Sequence, residues 1–304
     1  PIAASTLKGY LAEPAATNLC LQSNAFTTTW TIANSALGVN AQNAVGPDGG
    51  TTAWTMTDTD AANISGVDIS VGTLTAASYT YSVFIKKTVG ATTFPVIFAY
   101  GVGSLWALAT IDTNNGVATV WTAYTGRTIV GTAARCTSFN ANFWRVELVF
   151  TGSAVSYNVE LLPAATATAN KSSGTLSEVS LTGSAVFYGA QVELGSFATS
   201  YIPTTTVAVT RNGEIDSLPT SGNILAAAGT IALTFTPTHT PSGTIALWGT
   251  YVDASNYTAI LHDATNLIFR KRIAGVNYDA TIANAFTSGT TYKMAASWGS
   301  GGST

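Results

Sequence analysis

The chain has 304 residues, of which 46% are hydrophobic and only 9% are charged, and its formal net charge is −3. This composition excludes an intrinsically disordered chain, which would combine high charge with low hydrophobicity. No apolar run reaches the roughly 18 residues of a membrane helix, and the basic run Arg270 to Arg272 is too short for a nucleic-acid footprint. We therefore expect a folded protein without a membrane or nucleic-acid partner.

Period-2 alternation, the signature of β-strands, dominates the chain, and no long helical stripe is present. In "YTYSVFIKK" the face predicted to be buried holds Tyr79, Tyr81, Val83 and Ile85. In "FWRVELVFT" it holds Trp144, Val146, Leu148 and Phe150. In "AVFYGAQVEL" it holds Val186, Tyr188, Ala190, Val192 and Leu194.

Turn signals separate these segments, as in "GPDGG" at 46–50 and "DTNNG" at 112–116. Asn115-Gly116 between apolar runs predicts a β-hairpin, because both residues tolerate a positive φ. Many short strands with turns between them are typical of an all-β sandwich or barrel.

A domain boundary is predicted where prolines, glycines and threonines accumulate. We expect a first β-sandwich over 1–205, a linker over 206–222, and the start of a second, incomplete sandwich over 223–304. The chain starts at Pro1 without a secretory signal peptide, so its true N-terminus is expected to be processed or missing.

Four segments together resemble a bacteriophage virion family of head-spike-fibre or tail-fibre domains. They are "GYLAEPAATNLCLQSNAF" (9–26) with Trp30, "VGPDGGTTAWTM" (45–56), "SYTYSVFIKK" (78–87) and "FYGAQVELGSFATSYIPTTTVAVTR" (187–211). Their order, their spacing and the closing Gly-Ala-Gln-x-Glu with Ser-Tyr-Ile-Pro-Thr match the family pattern over about 1–211. The chain departs from it at Cys20, where the family usually has leucine.

The resemblance implies an antiparallel jelly-roll β-sandwich like that of carbohydrate-binding modules, and the block from 223 more weakly resembles a concanavalin-like (laminin-G-type) sandwich. It implies a non-catalytic virion protein, either a head fibre, a capsid decoration protein or a tail fibre. Expected partners are other virion proteins, a host-surface polysaccharide and copies of the chain, with a trimer favoured. In the closing motif, Phe197 and Tyr201 are expected to plug the open end of the core, with Gly195 permitting the turn.

Catalytic residues are not indicated by the sequence. Concanavalin-like hydrolases carry Glu-x-Asp-x-x-Glu, and Glu214 and Asp216 match its start, but Pro219 replaces the third acid and the segment lies in the linker. His239 and His262 lack companions at metal-ligand spacing. The alternative to a virion protein is the accessory glycan-binding part of a polysaccharide depolymerase.

A structural Ca²⁺ is the only cofactor considered, with Asp58, Asp60 and Asp68 as weak candidate ligands. The calcium-loop spacing is absent, and a solvated loop is the alternative. Cys20 and Cys136 lie in apolar surroundings, which favours two free thiols over a disulfide.

Aromatic side chains could stack on sugar rings. Trp106, Trp121 and Tyr124 lie near the Asn115-Gly116 hairpin, where one rim of the sandwich could present them to a glycan. Burial in the core is the alternative for all three, and it is expected for Trp30, Trp54 and Trp144.

Overall fold

The computed structural model describes residues 13–33, 36–90, 93–165, 182–213, 228–237, 244–263, 265–283, 286–299 and 302–303. Within these ranges the secondary structure consists of strands β1 to β22, and no helix is present. The described part of the chain accordingly has no helix that could cross a membrane. The prediction of an all-β fold is confirmed.

The chain divides into two compact units, Pro1–Ile215 and Asp216–Thr304. The dividing point lies within the segment predicted to be a linker. Each unit is described by itself below.

Two sheets face each other in the first unit. Sheet 1 contains, in spatial order, β10 (Thr128–Ile129), β8 (Leu105–Asp112), β7 (Val96–Gly101), β13 (Val155–Leu162), β5 (Gly66–Leu74) and β2 (Thr31–Ala33), and β9 (Val117–Val120) also pairs with β8. Sheet 2 contains β11 (Gly131–Ser138), β12 (Phe143–Thr151), β6 (Ser78–Lys86), β14 (Gly183–Leu194), β4 (Ala53–Asp58) and β3 (Val39–Ala44). All pairs in these sheets are antiparallel except β10 with β8.

The predicted buried faces of β6 and β12 are confirmed. Tyr81, Val83 and Ile85 are fully buried in the core between the sheets, and Val146, Leu148 and Phe150 join them from β12. Trp30 and Trp54 belong to the same core, and Trp144 packs against it. The alternating apolar positions thus carry the packing that holds sheet 2 against sheet 1.

The predicted face of β14 is confirmed for Ala190 and Val192 and wrong for Val186, Tyr188 and Leu194. Ala185, Phe187, Ala190 and Val192 are the β14 residues that face the core, whereas Val186 and Tyr188 lie on the outer face and Leu194 is 65% exposed. A β-bulge explains the difference, because the register with β6 shifts between Tyr188 and Gln191. Gly189 adopts a φ of 63° inside this bulge, and the extra residue exchanges the two faces of the strand.

Replacing Gly189 by alanine is expected to lower the free energy of unfolding by about 1–2 kcal/mol. The left-handed backbone disfavours any Cβ, and a Cβ here would lie 3.1 Å from the ring of Tyr201. Gly72→Ala is the matched control, since Gly72 also has a positive φ at a register shift but no atom within 4 Å of its added Cβ. Urea unfolding should show the larger loss for Gly189→Ala, and an equal loss would contradict the role of the Tyr201 contact.

The segments before β2 and after β14 are held together on the first unit. β1 (Ala16–Asn18) pairs antiparallel with β15 (Val209–Arg211). Glu13 forms an ion pair with Arg211 and accepts a hydrogen bond of 2.7 Å from the backbone N–H of Ser200. We call this arrangement of the 13–23 and 199–211 segments the clasp.

Asn18 is the central residue of the clasp and is fully buried. Its Nδ2 donates to the carbonyl oxygens of Ile202 (2.8 Å) and Ala190 (3.2 Å). Its Oδ1 accepts from the backbone N–H groups of Cys20 and Val192, both at 3.0 Å. One amide therefore joins the N-terminal segment, β14 and the C-terminal segment.

The closing motif supplies the other polar contacts of the clasp. The buried carboxylate of Glu193 accepts hydrogen bonds from Gln191 Nε2 (2.6 Å) and from the backbone and hydroxyl of Thr199 (both 2.8 Å). Tyr201 does not plug the end of the core: its ring packs on Phe84 and Tyr188 at the outer face of sheet 2. The bulge at Gly189 causes this placement, because it turns Tyr188 outward to meet Tyr201.

The predicted hairpin at Asn115-Gly116 is confirmed, since β8 and β9 pair antiparallel and Gly116 has a φ of 69°. Both cysteines are free, with Cys20 buried and Cys136 partly buried. Burial raises the pKa of Cys136 to about 12, so its thiol is protonated at neutral pH.

The second unit also consists of antiparallel sheets. One sheet contains β16 (Gly229–Phe235), β21 (Tyr292–Gly299) and β22 (Gly302–Ser303), and the other contains β17 (Ile245–Asp253), β18 (Asn256–His262), β19 (Asn266–Ile273) and β20 (Val276–Ala283). Ile260 and Phe269 from one sheet share a core with Ala296 and Trp298 from the other.

Candidate functional site: a cleft on the outer face of sheet 1

A cleft of about 770 Å³ lies on the outer face of sheet 1. Strands β2, β5, β7, β8 and β13 contribute residues to it, and so does the segment between β9 and β10, which we call the 121–127 loop. The same alternation that sends every second side chain into the core sends the intervening ones into this cleft. The cleft is therefore built mainly on regular strands.

Aromatic side chains line one part of the cleft. Trp106 is partly exposed, and its ring lies 4.8 Å from that of Phe98 and 4.6 Å from that of Tyr124. Tyr100 continues the aromatic surface, with its ring 5.0 Å from Phe98. Edge-to-face and tilted contacts at these distances fix the rings against one another and leave a firm apolar surface.

The 121–127 loop positions the part of this aromatic surface that contains Tyr124. Trp121 is fully buried, donates a 2.8 Å hydrogen bond from Nε1 to the hydroxyl of Thr110, and stacks behind Tyr124. Arg127 closes the loop: its guanidinium lies 4.3 Å from the Trp106 ring and donates to Ser104 Oγ at 2.8 Å. The cleft thus carries one cationic side chain beside its main aromatic residue.

Asp68 contributes a carboxylate whose oxygens already have donors. Tyr100 and Asn158 each donate a hydrogen bond of 2.8 Å to its Oδ2, and the hydroxyl of Thr31 donates to Oδ1. Burial, followed by the hydrogen bond to Asp68, raises the pKa of Tyr100 above its ordinary range. These contacts compensate the charge of Asp68 and hold it in place.

Glu160 is the cross-strand neighbour of Asp68 and of Phe98, so all three side chains share the outer face. Its side chain is only 3% exposed, and no hydrogen bond within the described residues reaches its Oε1. Burial, with a smaller effect of the nearby Asp68, raises the pKa of Glu160 to about 8. At neutral pH this carboxyl is therefore mainly protonated and can donate a hydrogen bond.

The three predicted glycan-binding residues lie together on this face and not at the hairpin rim. Trp106 and Tyr124 line the cleft, although Tyr124 is only 7% exposed. Trp121 has no exposed surface, so its place is the packing behind Tyr124 and not ligand contact.

The three candidate calcium ligands do not converge. Asp58 is buried and accepts from the backbone N–H groups of Asp60 and Ser65, while Asp60 caps the turn at Ala62. Asp68 belongs to the cleft instead. In the described part of the chain no three His, Cys, Asp or Glu side chains are grouped as a metal site would require.

The other residues considered for catalysis were two acids of the linker and two histidines. Glu214, Asp216 and His239 lie outside the described residues. His262 is buried in the second unit, where its ring stacks on Phe286 at 4.1 Å.

Sequence reasoning missed Phe98, Tyr100, Arg127 and Glu160 as cleft residues. A signal existed for Glu160. In the strand "SYNVELL" it alternates with Asn158 and Leu162, so these three side chains share one face of the strand. The alternation does not show which neighbouring strands place side chains on that face.

No family model matches the chain, and no curated protein matches it.

Proposed function

We propose that the cleft on sheet 1 binds carbohydrate non-covalently. The observation that carries this proposal is the meeting of a partly exposed Trp106, framed by other aromatic rings, with hydrogen-bonding groups of Asp68 and Glu160 in one cleft of about 770 Å³. Sugars have apolar faces of C–H groups and edges of hydroxyl groups, so an aromatic surface beside polar side chains complements both.

Binding without hydrolysis fits the state of the two carboxyls. A glycosidase needs one carboxylate free to act as a nucleophile or base and one acid. The oxygens of Asp68 are engaged by Thr31, Tyr100 and Asn158, which suits a fixed binding group. The depolymerase alternative therefore stands as an accessory binding role.

The biological setting of this proposal comes from the four segments that resemble phage head-spike-fibre and tail-fibre domains. We propose that the chain is a structural component displayed on a virion, assembled in the bacterial host cytoplasm as a homo-oligomer, with a trimer favoured. A single aromatic stacking contact contributes about 1 kcal/mol, which gives weak binding per chain. Many copies on one particle would raise the overall avidity by orders of magnitude.

Trp106→Ala is expected to weaken glycan binding about fivefold, because it removes roughly 1 kcal/mol of stacking. Trp144→Ala is the matched control: Trp144 is also partly buried and has a cation, Lys87, 4.1 Å from its ring centroid, but it does not line the cleft. Binding of both variants to a glycan array and by calorimetry checks the prediction. Reducing-end release from any bound oligosaccharide would contradict the non-catalytic part.

Binding that is equally weakened in both variants would show a general loss of folding. Unchanged binding by a folded Trp106→Ala variant would reject the cleft as the glycan site.

A further inference from the structure

Of the two carboxyls that line the cleft, Glu160 is the one whose buried oxygen has no hydrogen-bond partner among the described residues. Asp68 beside it receives three donors, whereas no donor among the described residues reaches Glu160 Oε1. Buried polar atoms in folded proteins nearly always have partners. Because Glu160 lines the cleft, a ligand entering the cleft can supply that partner.

The charged and titratable groups around Glu160 in the cleft come from β5, β7 and the 121–127 loop. Asp68 belongs to β5, Tyr100 to β7, and Tyr124 and Arg127 to the 121–127 loop. β2 contributes only the apolar Ile32 and Ala33. From the opposite sheet, burial raises the pKa of Tyr81 well above its ordinary range, so this phenol stays neutral.

We propose that Glu160 contacts the ligand directly and selects an uncharged, hydroxyl-bearing sugar over cationic and anionic sugars. This inference rests on the proposed function. A sugar hydroxyl can accept a hydrogen bond from the protonated carboxyl and donate one to its other oxygen. The contact satisfies the unpartnered atom without placing a new charge in the cleft.

Charged sugars are disfavoured for separate reasons. An anionic sugar at Glu160 would bring its carboxylate beside Asp68, the cross-strand neighbour of Glu160, and like charges at short distance repel. Asp68 offers little to a cationic sugar, because three donors already engage its oxygens, and pairing with Glu160 instead would need that carboxyl to ionise in a buried position. Neutral hexose units avoid both costs.

The pH dependence of binding follows from the same carboxyl. Ionisation removes its O–H donor, and the pKa of Glu160 is about 8. If only the protonated form binds, affinity for a neutral sugar falls about tenfold between pH 7 and pH 9. The neighbouring Tyr100 does not ionise in this range, because its own pKa is raised.

Two substitutions separate the hydrogen bond from the charge. Glu160→Gln keeps both a donor and an acceptor but cannot titrate, so it should bind neutral sugars at pH 7 and lose the tenfold fall by pH 9. Glu160→Leu keeps the volume without hydrogen bonding and should bind at least about tenfold more weakly than Glu160→Gln at both pH values. Glu147→Gln is the matched control, since Glu147 lies on β12 of sheet 2 and pairs with Arg135; its profile should equal that of the wild type.

The probes are hexose oligomers of gluco, galacto and manno configuration, with glucosamine and galacturonate oligomers of equal length as charged counterparts. Calorimetry at pH 7 and pH 9 should show binding of at least one neutral oligomer and weaker binding of both charged ones. Equal binding by Glu160→Leu, a wild-type pH profile in Glu160→Gln, or strongest binding of a charged oligomer would each overturn the inference.

A ligand-free measurement keeps this inference distinct from the proposed function. Between the ordinary glutamate pKa of about 4.3 and about 8, the folded protein retains a proton that the unfolded chain has released. Stability of the wild type should therefore fall as pH rises through this window, and Glu160→Gln should lack that part of the fall. A sugar that depends on Trp106 but not on Glu160 would refute only this inference, whereas absence of any bound sugar would refute the proposed function.

Discussion

Replacing Trp121 by alanine is expected to lower the free energy of unfolding by about 3–5 kcal/mol, the usual cost of deleting a fully buried tryptophan. Its side chain has no exposed surface and packs within the cluster that includes Phe98, Leu108 and Tyr124. The substitution leaves a cavity and also removes the hydrogen bond from Nε1 to Thr110, whose hydroxyl is itself buried. Both effects act in the same direction.

Urea unfolding followed by far-UV circular dichroism checks this expectation, and hydrogen exchange over residues 121–127 locates the loss. Trp106→Ala is the appropriate comparison, because Trp106 is the same residue type on the same face but partly exposed, and it should cost clearly less. A Trp121→Ala variant as stable as Trp106→Ala would contradict the burial of Trp121 behind Tyr124.

Replacing Asn18 by alanine is expected to lower the free energy of unfolding by about 3–4 kcal/mol. Four hydrogen bonds of 2.8 to 3.2 Å end on this buried amide. Alanine leaves the N–H groups of Cys20 and Val192 without these acceptors, and each unpaired buried group costs about 1–3 kcal/mol. The carbonyl of Ile202 also loses its donor.

Thr17→Ala is the neighbouring control for Asn18→Ala. Thr17 makes one exposed hydrogen bond, to Thr210 at 2.8 Å, so its removal should cost less than about 1 kcal/mol. Thermal and urea unfolding of the two variants should differ by several-fold in the size of the loss. Similar small losses would show that the clasp contributes little to the stability of the first unit.

The strands were predictable because their side chains alternate without interruption. Tyr81, Val83 and Ile85 needed only the period of two to be assigned to the core. The faces of β14 were not predictable from that period, because the bulge at Gly189 adds one residue and reverses the pattern. A glycine inside an apolar strand is the signal that would have indicated the bulge.

The candidate site was predictable only where its residues are close in sequence. Trp106 and Tyr124 could be grouped because they flank one hairpin. Asp68 and Glu160 are far apart in the chain and meet through the pairing of β5 with β13, which no local pattern specifies. The exposed fraction of an aromatic residue could not be predicted either, since Trp106 and Trp121 look alike in sequence, yet Trp106 is partly exposed and Trp121 is buried behind Tyr124.

The antiparallel pairing of β1 with β15 sets how the first unit responds to mechanical tension. Ala16 pairs with Arg211 and Asn18 with Val209, so the chain enters β1 and leaves β15 at the same side of the pair. Force pulling Glu13 and Arg211 apart would load the inter-strand bonds in sequence, beginning with the ion pair between these residues. The pair would peel open from its end before the load reached Asn18, whose side chain makes three hydrogen bonds to other segments, at Ala190, Val192 and Ile202.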